Sequence, residues 1–205
     1  MDGANGEFKG GWSFPVVTAS QTGHDWTPDG LAIVYTGTSD VGYGIWQVSV
    51  NPPTGEVGTP ILLKEGVCWE PKISPDGTKI AYWGGGTVSV LDLTTGAVIT
   101  SPRTSIAPSW SPDGRKIAFG GVICYNGDPA DCHYEIVIAD PDLTGWTPVT
   151  ALKSYSAFPT WSPDGNELVF CSQVSGSKAL YKTTIGSGTM SLLYDGGEEE
   201  LDWNP

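Results

Sequence analysis

A chain of 205 residues is long enough for one sizeable core, and 23 acidic against 10 basic residues leave a net charge of −13. That balance makes nucleic acid and anionic membrane surfaces poor partners, and no apolar run approaches the roughly 18–20 residues that span a bilayer. The 28 Gly and 16 Pro alone would suit a disordered chain, but nine Trp and regular apolar runs exclude one.

Residues 1–14 carry Gly3, Gly6, Gly10 and Gly11 and read as a flexible lead-in. They lack the apolar stretch of a signal peptide, which leaves a cytoplasmic protein or the mature form of an exported one. Residues 15–19 (Pro-Val-Val-Thr-Ala) read as a short strand. His24-Asp25-Trp26-Thr27-Pro28-Asp29-Gly30 then runs into Ile33-Val34-Tyr35, a loop over residues 36–44, a strand over 45–50 and another at Ile61-Leu62-Leu63. Pro71-Lys72-Ile73-Ser74-Pro75-Asp76-Gly77 runs into Ile80-Ala81-Tyr82 and two more strands, 87–92 and 97–100, around Thr94-Thr95-Gly96. Pro108-Ser109-Trp110-Ser111-Pro112-Asp113-Gly114 leads to Ile117-Ala118-Phe119 and a turn-rich insert between Cys124 and Cys132. Strands follow at 134–140 and 148–151. Pro159-Thr160-Trp161-Ser162-Pro163-Asp164-Gly165 leads to Leu168-Val169-Phe170, a turn at Ser175-Gly176-Ser177, and strands at 179–183 and 190–193. Asp202-Trp203-Asn204-Pro205 begins the motif once more. No helical periodicity of useful length occurs anywhere.

The motif is a strand, a forced turn and a second strand. Proline presets φ, Asp bonds its own backbone, and Gly supplies the positive φ that returns the chain to a strand. The apolar trio that follows reads as a strand buried on both faces. The motif aromatic (Trp26, Trp110, Trp161, Trp203, with Ile73 in the second copy) is expected to pack between neighbouring units.

Successive motifs lie 47, 37, 51 and 42 residues apart. A period of about 40–50 built from short strands marks a β-propeller, with one four-stranded sheet per repeat. The expected fold is therefore all-β, with four complete repeats and a partial shared blade over residues 15–205. Trp-Ser-Pro-Asp-Gly-x-x-Ile-Ala-Phe resembles the WD40-like repeat of TolB-type propellers, which also occurs in propellers of prolyl-oligopeptidase-like and tricorn-like proteases. The resemblance covers residues 20–205. The expected ring is either five blades with one abbreviated, or part of a larger propeller whose open strand edges would favour self-association.

Reactive groups are sparse. The two His, His24 and His133, cannot build a polyhistidine metal site, and no nucleophile elbow, phosphate loop or dinucleotide loop is present. No metal, no cofactor and no enzymatic activity are expected. Cys124 and Cys132 flank a loop that a disulfide could close, two unlinked thiols being the alternative; the pairing would suit a periplasmic or secreted protein. Cys68 and Cys171 have no evident partner.

In a propeller the segment before each motif lies near the axis, where loops from successive blades converge. Here those segments carry His24, Trp69, Glu70, Phe158, Glu199 and Glu200, an aromatic and acidic set suited to a cationic or carbohydrate-like group. Alternatively, Trp69 covers the core where Ile73 replaces the motif tryptophan. The resemblance implies a non-enzymatic scaffold for protein partners, with a glycan as the second class. The rival is the propeller of a hydrolase.

Overall fold

The computed structural model describes residues 23–39 and 42–195. The lead-in, the expected strand at 15–19, Glu199, Glu200 and Trp203 lie outside the described residues.

The fold begins at the four turns, each of which is hydrogen-bonded in the same way. Asp76 Oδ1 accepts the Ser74 hydroxyl (2.5 Å) and the Thr78 N–H (3.0 Å), while Ser74 Oγ accepts the Lys79 N–H (2.9 Å). Ser111, Asp113, Arg115 and Lys116 repeat the pattern, as do Ser162, Asp164, Asn166 and Glu167. Thr27 stands in for the serine beside Asp29. Gly30, Gly77, Gly114 and Gly165 each take a φ between 68° and 72°, which a side chain would strain.

Four antiparallel sheets follow. Blade 1 orders β1 (His24–Trp26), β2 (Ala32–Ser39), β3 (Gly42–Asn51) and β4 (Glu56–Val57), with β5 (Ile61–Glu65) also on β3. Blade 2 is β6 (Trp69–Ile73), β7 (Lys79–Gly84), β8 (Thr87–Asp92) and β9 (Val98–Thr100). Blade 3 is β10 (Ser105–Trp110), β11 (Ile117–Cys124), β12 (Cys132–Ala139) and β13 (Thr147–Pro148). Blade 4 is β14 (Ser156–Trp161), β15 (Glu167–Ser172), β16 (Ala179–Thr184) and β17 (Met190–Tyr194). β1 packs beside β6, β6 beside β10, and β10 beside β14, so the first strands of the blades are neighbours around the axis of an all-β propeller.

The core lies in the seams between blades. Val34, Ile45, Ile73, Ile80 and Tyr82 fill the first seam, Val90, Trp110, Ile117 and Phe119 the second, and Ala118, Ile138, Trp161 and Phe170 the third. Fully burying one such side chain contributes about 1.5–3 kcal/mol. Trp110 and Trp161 are buried, and each indole donates to the first strand of the preceding blade, at Lys72 O (2.9 Å) and Ser109 O (3.1 Å).

Trp26 is 48% exposed, and the strands expected beside it, residues 15–19 and the one at Trp203, lie outside the described residues. Three sequence expectations need correcting. Residues 36–39 and 42–44 are not a loop. They extend β2 and β3, with Ser39 opposite Gly42, and Gly44 lies under Lys64 O, where a Cβ would approach to 2.2 Å. Blade 1 carries a fifth strand, because the turn at residues 52–55 folds β4 straight back onto β3. The strand expected at 148–151 shrinks to β13. There the Thr150 hydroxyl takes the Ile136 N–H (2.9 Å) and draws the chain off the ladder.

Candidate functional site

The first strands of blades 2, 3 and 4 are interrupted at the same place. The ladder slips between Trp69 and Lys72, between Ile106 and Ser109, and between Ala157 and Thr160. At those bulges Glu70 (φ 48°), Ala107 (φ 53°) and Phe158 (φ 56°) take left-handed backbones, and Gly23 (φ 103°) holds the aligned place in blade 1. A non-glycine residue there costs roughly 1–3 kcal/mol, so packing around it must hold it. Blades 1 and 2 touch at this level: a Cβ on Gly23 would sit 2.7 Å from Glu70 Cα.

The sequence-predicted residues distribute unevenly. Glu70 and Phe158 both occupy bulge positions and are half-buried. Trp69 is half-buried against Trp83, its cross-strand partner, with ring centroids 4.5 Å apart. It therefore packs on its own blade. The Trp83 indole nitrogen is buried without a hydrogen-bond partner among the described residues. His24 is exposed on β1, opposite Tyr35.

Sequence reasoning missed a second group at the same end. Ser105, the first residue of β10, pairs with Gly121, so β11 and β12 run on past the bulge level to Cys124 opposite Cys132. Those two cysteines are joined, with Cα atoms 4.0 Å apart, above a 3-10 turn at Tyr125–Gly127. Cys68 and Cys171 are free and buried.

Glu135, fully buried, anchors this tip. It accepts hydrogen bonds from the Tyr125 hydroxyl (2.7 Å), the Lys153 N–H (2.7 Å) and the Thr150 hydroxyl (2.6 Å). Burial and the Glu135 carboxylate push the Tyr125 phenol up, keeping it a donor. The Lys153 ammonium lies 4.7 Å from the Tyr125 ring centre and pairs with Asp131, which also meets His133 Nε2 at 2.9 Å. Lys153 and then His133 hold the Asp131 carboxyl low. Tyr134 meets Tyr155 edge-on at 5.6 Å. Burial raises the Tyr155 phenol, with smaller contributions from Cys171, Tyr134 and Glu70. The signal for this group was the cysteine insert itself, which lifts Tyr125, His133 and Tyr134 into one hairpin.

The arrangement offers aromatic edges, carboxylates and one lysine on a braced frame. Among the described residues no group of three His, Cys, Asp or Glu could hold a metal ion. Among the described residues no helix is long and apolar enough to cross a membrane.

The family model of the TolB beta propeller domain matches residues 55–203. A TolB homolog from Chlorobium luteolum is 34% identical over 125 residues, which cover 58% of this chain and 27% of that protein. An uncharacterized protein from Agrobacterium fabrum is 26% identical over 164 residues, covering 72% of this chain and 53% of its own length. The chain thus spans about a quarter to about half the length of these curated relatives. Among solved structures, TolB from Acinetobacter baumannii superposes with a TM-score of 0.62 at 24% identity, over 86% of this chain and 45% of that one. The tricorn protease shares the fold at a TM-score of 0.56 and 14% identity, over 84% of this chain and 19% of its own. With a family match over well more than half of its length, the chain belongs to the TolB beta propeller domain family.

Proposed function

We propose that this chain is a non-enzymatic binding module outside the cytoplasm, and that it takes a protein partner at the end where the first strands bulge. The observation that carries the reading is that the bulges at Glu70 and Phe158 stand at the same end of their blades as the disulfide-capped hairpin of blade 3, where Tyr134 meets Tyr155. An acidic, aromatic surface of this kind suits a basic segment of another protein, through cation–π and charge-assisted contacts. Trp69 is committed to Trp83, which removes the free stacking platform a glycan needs and favours a protein. Likeness to the tricorn protease at 14% identity speaks to the fold alone. The joined cysteines support an oxidising compartment.

Site-specific photo-crosslinking tests this. With p-benzoylphenylalanine at Phe158, irradiation of intact cells is expected to give protein adducts of discrete mass. The same group at Ile99, exposed on the outer edge of blade 2, should give none. Adducts from position 99 alone, or from neither, would overturn the reading.

A further inference from the structure

The turn between the third and fourth strands differs between blades 3 and 4 in one respect. Leu143 lies four residues past Ala139, which pairs with Ile117. It takes a left-handed φ of 61°, is 3% exposed, and joins Trp110 and Val90 in the second seam. Its N–H donates to Asp140 O (2.8 Å) and its carbonyl accepts the Trp146 indole N–H (3.1 Å). Blade 3 thus plugs its own seam with blade 2.

In blade 4 the residue four past Thr183, which pairs with Leu168, is Ser187. It is exposed between Gly186 and Gly188, and its hydroxyl donates back to Thr184 O (2.8 Å). No leucine reaches inward there, and a groove of about 600 Å³ lies between blades 3 and 4. Ile138, Trp161 and Ile185 form its apolar floor, and Asp113, Asp164 and Asn166 its rim. Hydrogen bonds from Ser162 and Asn166 hold the Asp164 carboxyl at about 2, and the Ser111 hydroxyl lowers Asp113, so both carboxylates are charged at neutral pH. Lys116, also at the groove, is taken by Asp140 at 2.7 Å.

We propose that this groove docks an exposed segment of a partner protein that carries a leucine-class side chain beside a lysine or arginine. The aliphatic side chain takes the place in the third seam that Leu143 takes in the second, covering Ile138 and Trp161. The cation faces Asp113 and Asp164, in keeping with a chain of net charge −13. The groove lies at the turn end of the blades, opposite the bulges, so it is independent of the site proposed above.

The test is a titration of the ¹⁵N-labelled full chain with an acetylated peptide, Lys-Pro-Lys-Leu-Thr-Gly, followed at the amides of Ile185, Asn166 and Gly165. Saturable shifts are expected. They should weaken about tenfold or more when the peptide leucine becomes alanine, and likewise in the Asn166→Lys protein, which sets a cation on the rim beside Asp164. Asn166 is exposed and Arg115 holds the same place in the blade 3 turn, so the rest of the Asn166→Lys spectrum should stay unchanged. The proposal is overturned by no saturable shift at millimolar peptide, by equal binding of the alanine peptide, or by binding that survives Asn166→Lys. It is also overturned if the same amides shift with protein concentration alone, since a second copy is then the occupant.

Discussion

The Asp25 carboxylate accepts the Ile73 backbone N–H at 2.8 Å, joining blade 1 to blade 2 across 48 positions of sequence. At the next two seams the bond comes from the motif indole, Trp110 to Lys72 O and Trp161 to Ser109 O. Blade 2 has no indole at that place, and a side-chain acceptor on the preceding blade substitutes for the missing side-chain donor. Leaving the part-buried N–H alone costs about 1–3 kcal/mol. Asp25→Ala is expected to lose about that much in urea unfolding, and Asp25→Asn, which keeps an acceptor oxygen, less. Equal losses from the two would mean that the bond is not what matters.

The two buried motif tryptophans should be far more sensitive than the first. Trp110→Ala and Trp161→Ala are each expected to cost roughly 3–5 kcal/mol, the usual result of emptying a large aromatic site. Trp110→Phe should cost less, since it removes mainly the bond to Lys72 O. Trp26, 48% exposed, should tolerate alanine much better. Denaturant midpoints decide it, and a loss under about 1 kcal/mol at Trp110 would contradict its burial between blades.

Acid should loosen the turns. Hydrogen bonds from Ser74 and Thr78 hold Asp76 at about 2, those from Ser162 and Asn166 hold Asp164 at about 2, and Asp29 and Asp113 are lowered in the same way. A carboxyl whose folded pKa lies below the unfolded value of about 3.9 stabilises above that value and loses its contribution as pH falls through the folded one. Stability should therefore hold above about pH 4 and decline toward pH 2. The double variant Asp76→Asn/Asp164→Asn should flatten that limb in a pH series of urea midpoints. An unchanged acid limb would remove the turns from the explanation.

The hairpin of blade 3 has two independent restraints, the Cys124–Cys132 link and the buried Glu135. Closing a loop of sequence separation 8 corresponds to roughly 2.5 kcal/mol in the chain-entropy model. Cys124→Ser/Cys132→Ser should lose up to that amount while the Tyr125 and Lys153 amides keep their exchange protection. Glu135→Ala should release the Lys153 amide, whose acceptor it removes along with that of the Tyr125 and Thr150 hydroxyls, while the Tyr125 amide stays on Asp131 O. Mass spectrometry of unreduced peptides from protein purified under oxidising conditions should recover Cys124 and Cys132 linked. Free thiols at both would remove the first restraint.

What could be read from the sequence is what lies within about five residues of its own cause. The Ser74–Asp76–Lys79 turn and its three counterparts close on themselves, so their chemistry is written in consecutive letters. The apolar trios are equally local, and the period between them assigns one sheet to each motif. The bulges at Glu70, Ala107 and Phe158 escaped notice because nothing in three unlike side chains signals a left-handed backbone. Only the tertiary structure decided which aromatics are buried. Trp26 and Trp161 share a motif, yet one is half exposed and the other buried, because burial is supplied by a neighbouring sheet rather than by the residue. The same holds for Glu135, which became an anchor only when the fold brought Thr150 and Lys153 to it. Local turns are fixed by steric and hydrogen-bond preferences of adjacent residues, whereas the seams are made by pairs 38 and 52 positions apart, Trp110 with Lys72 and Trp161 with Ser109, and the candidate site by pairs such as Glu135 with Lys153, 18 apart.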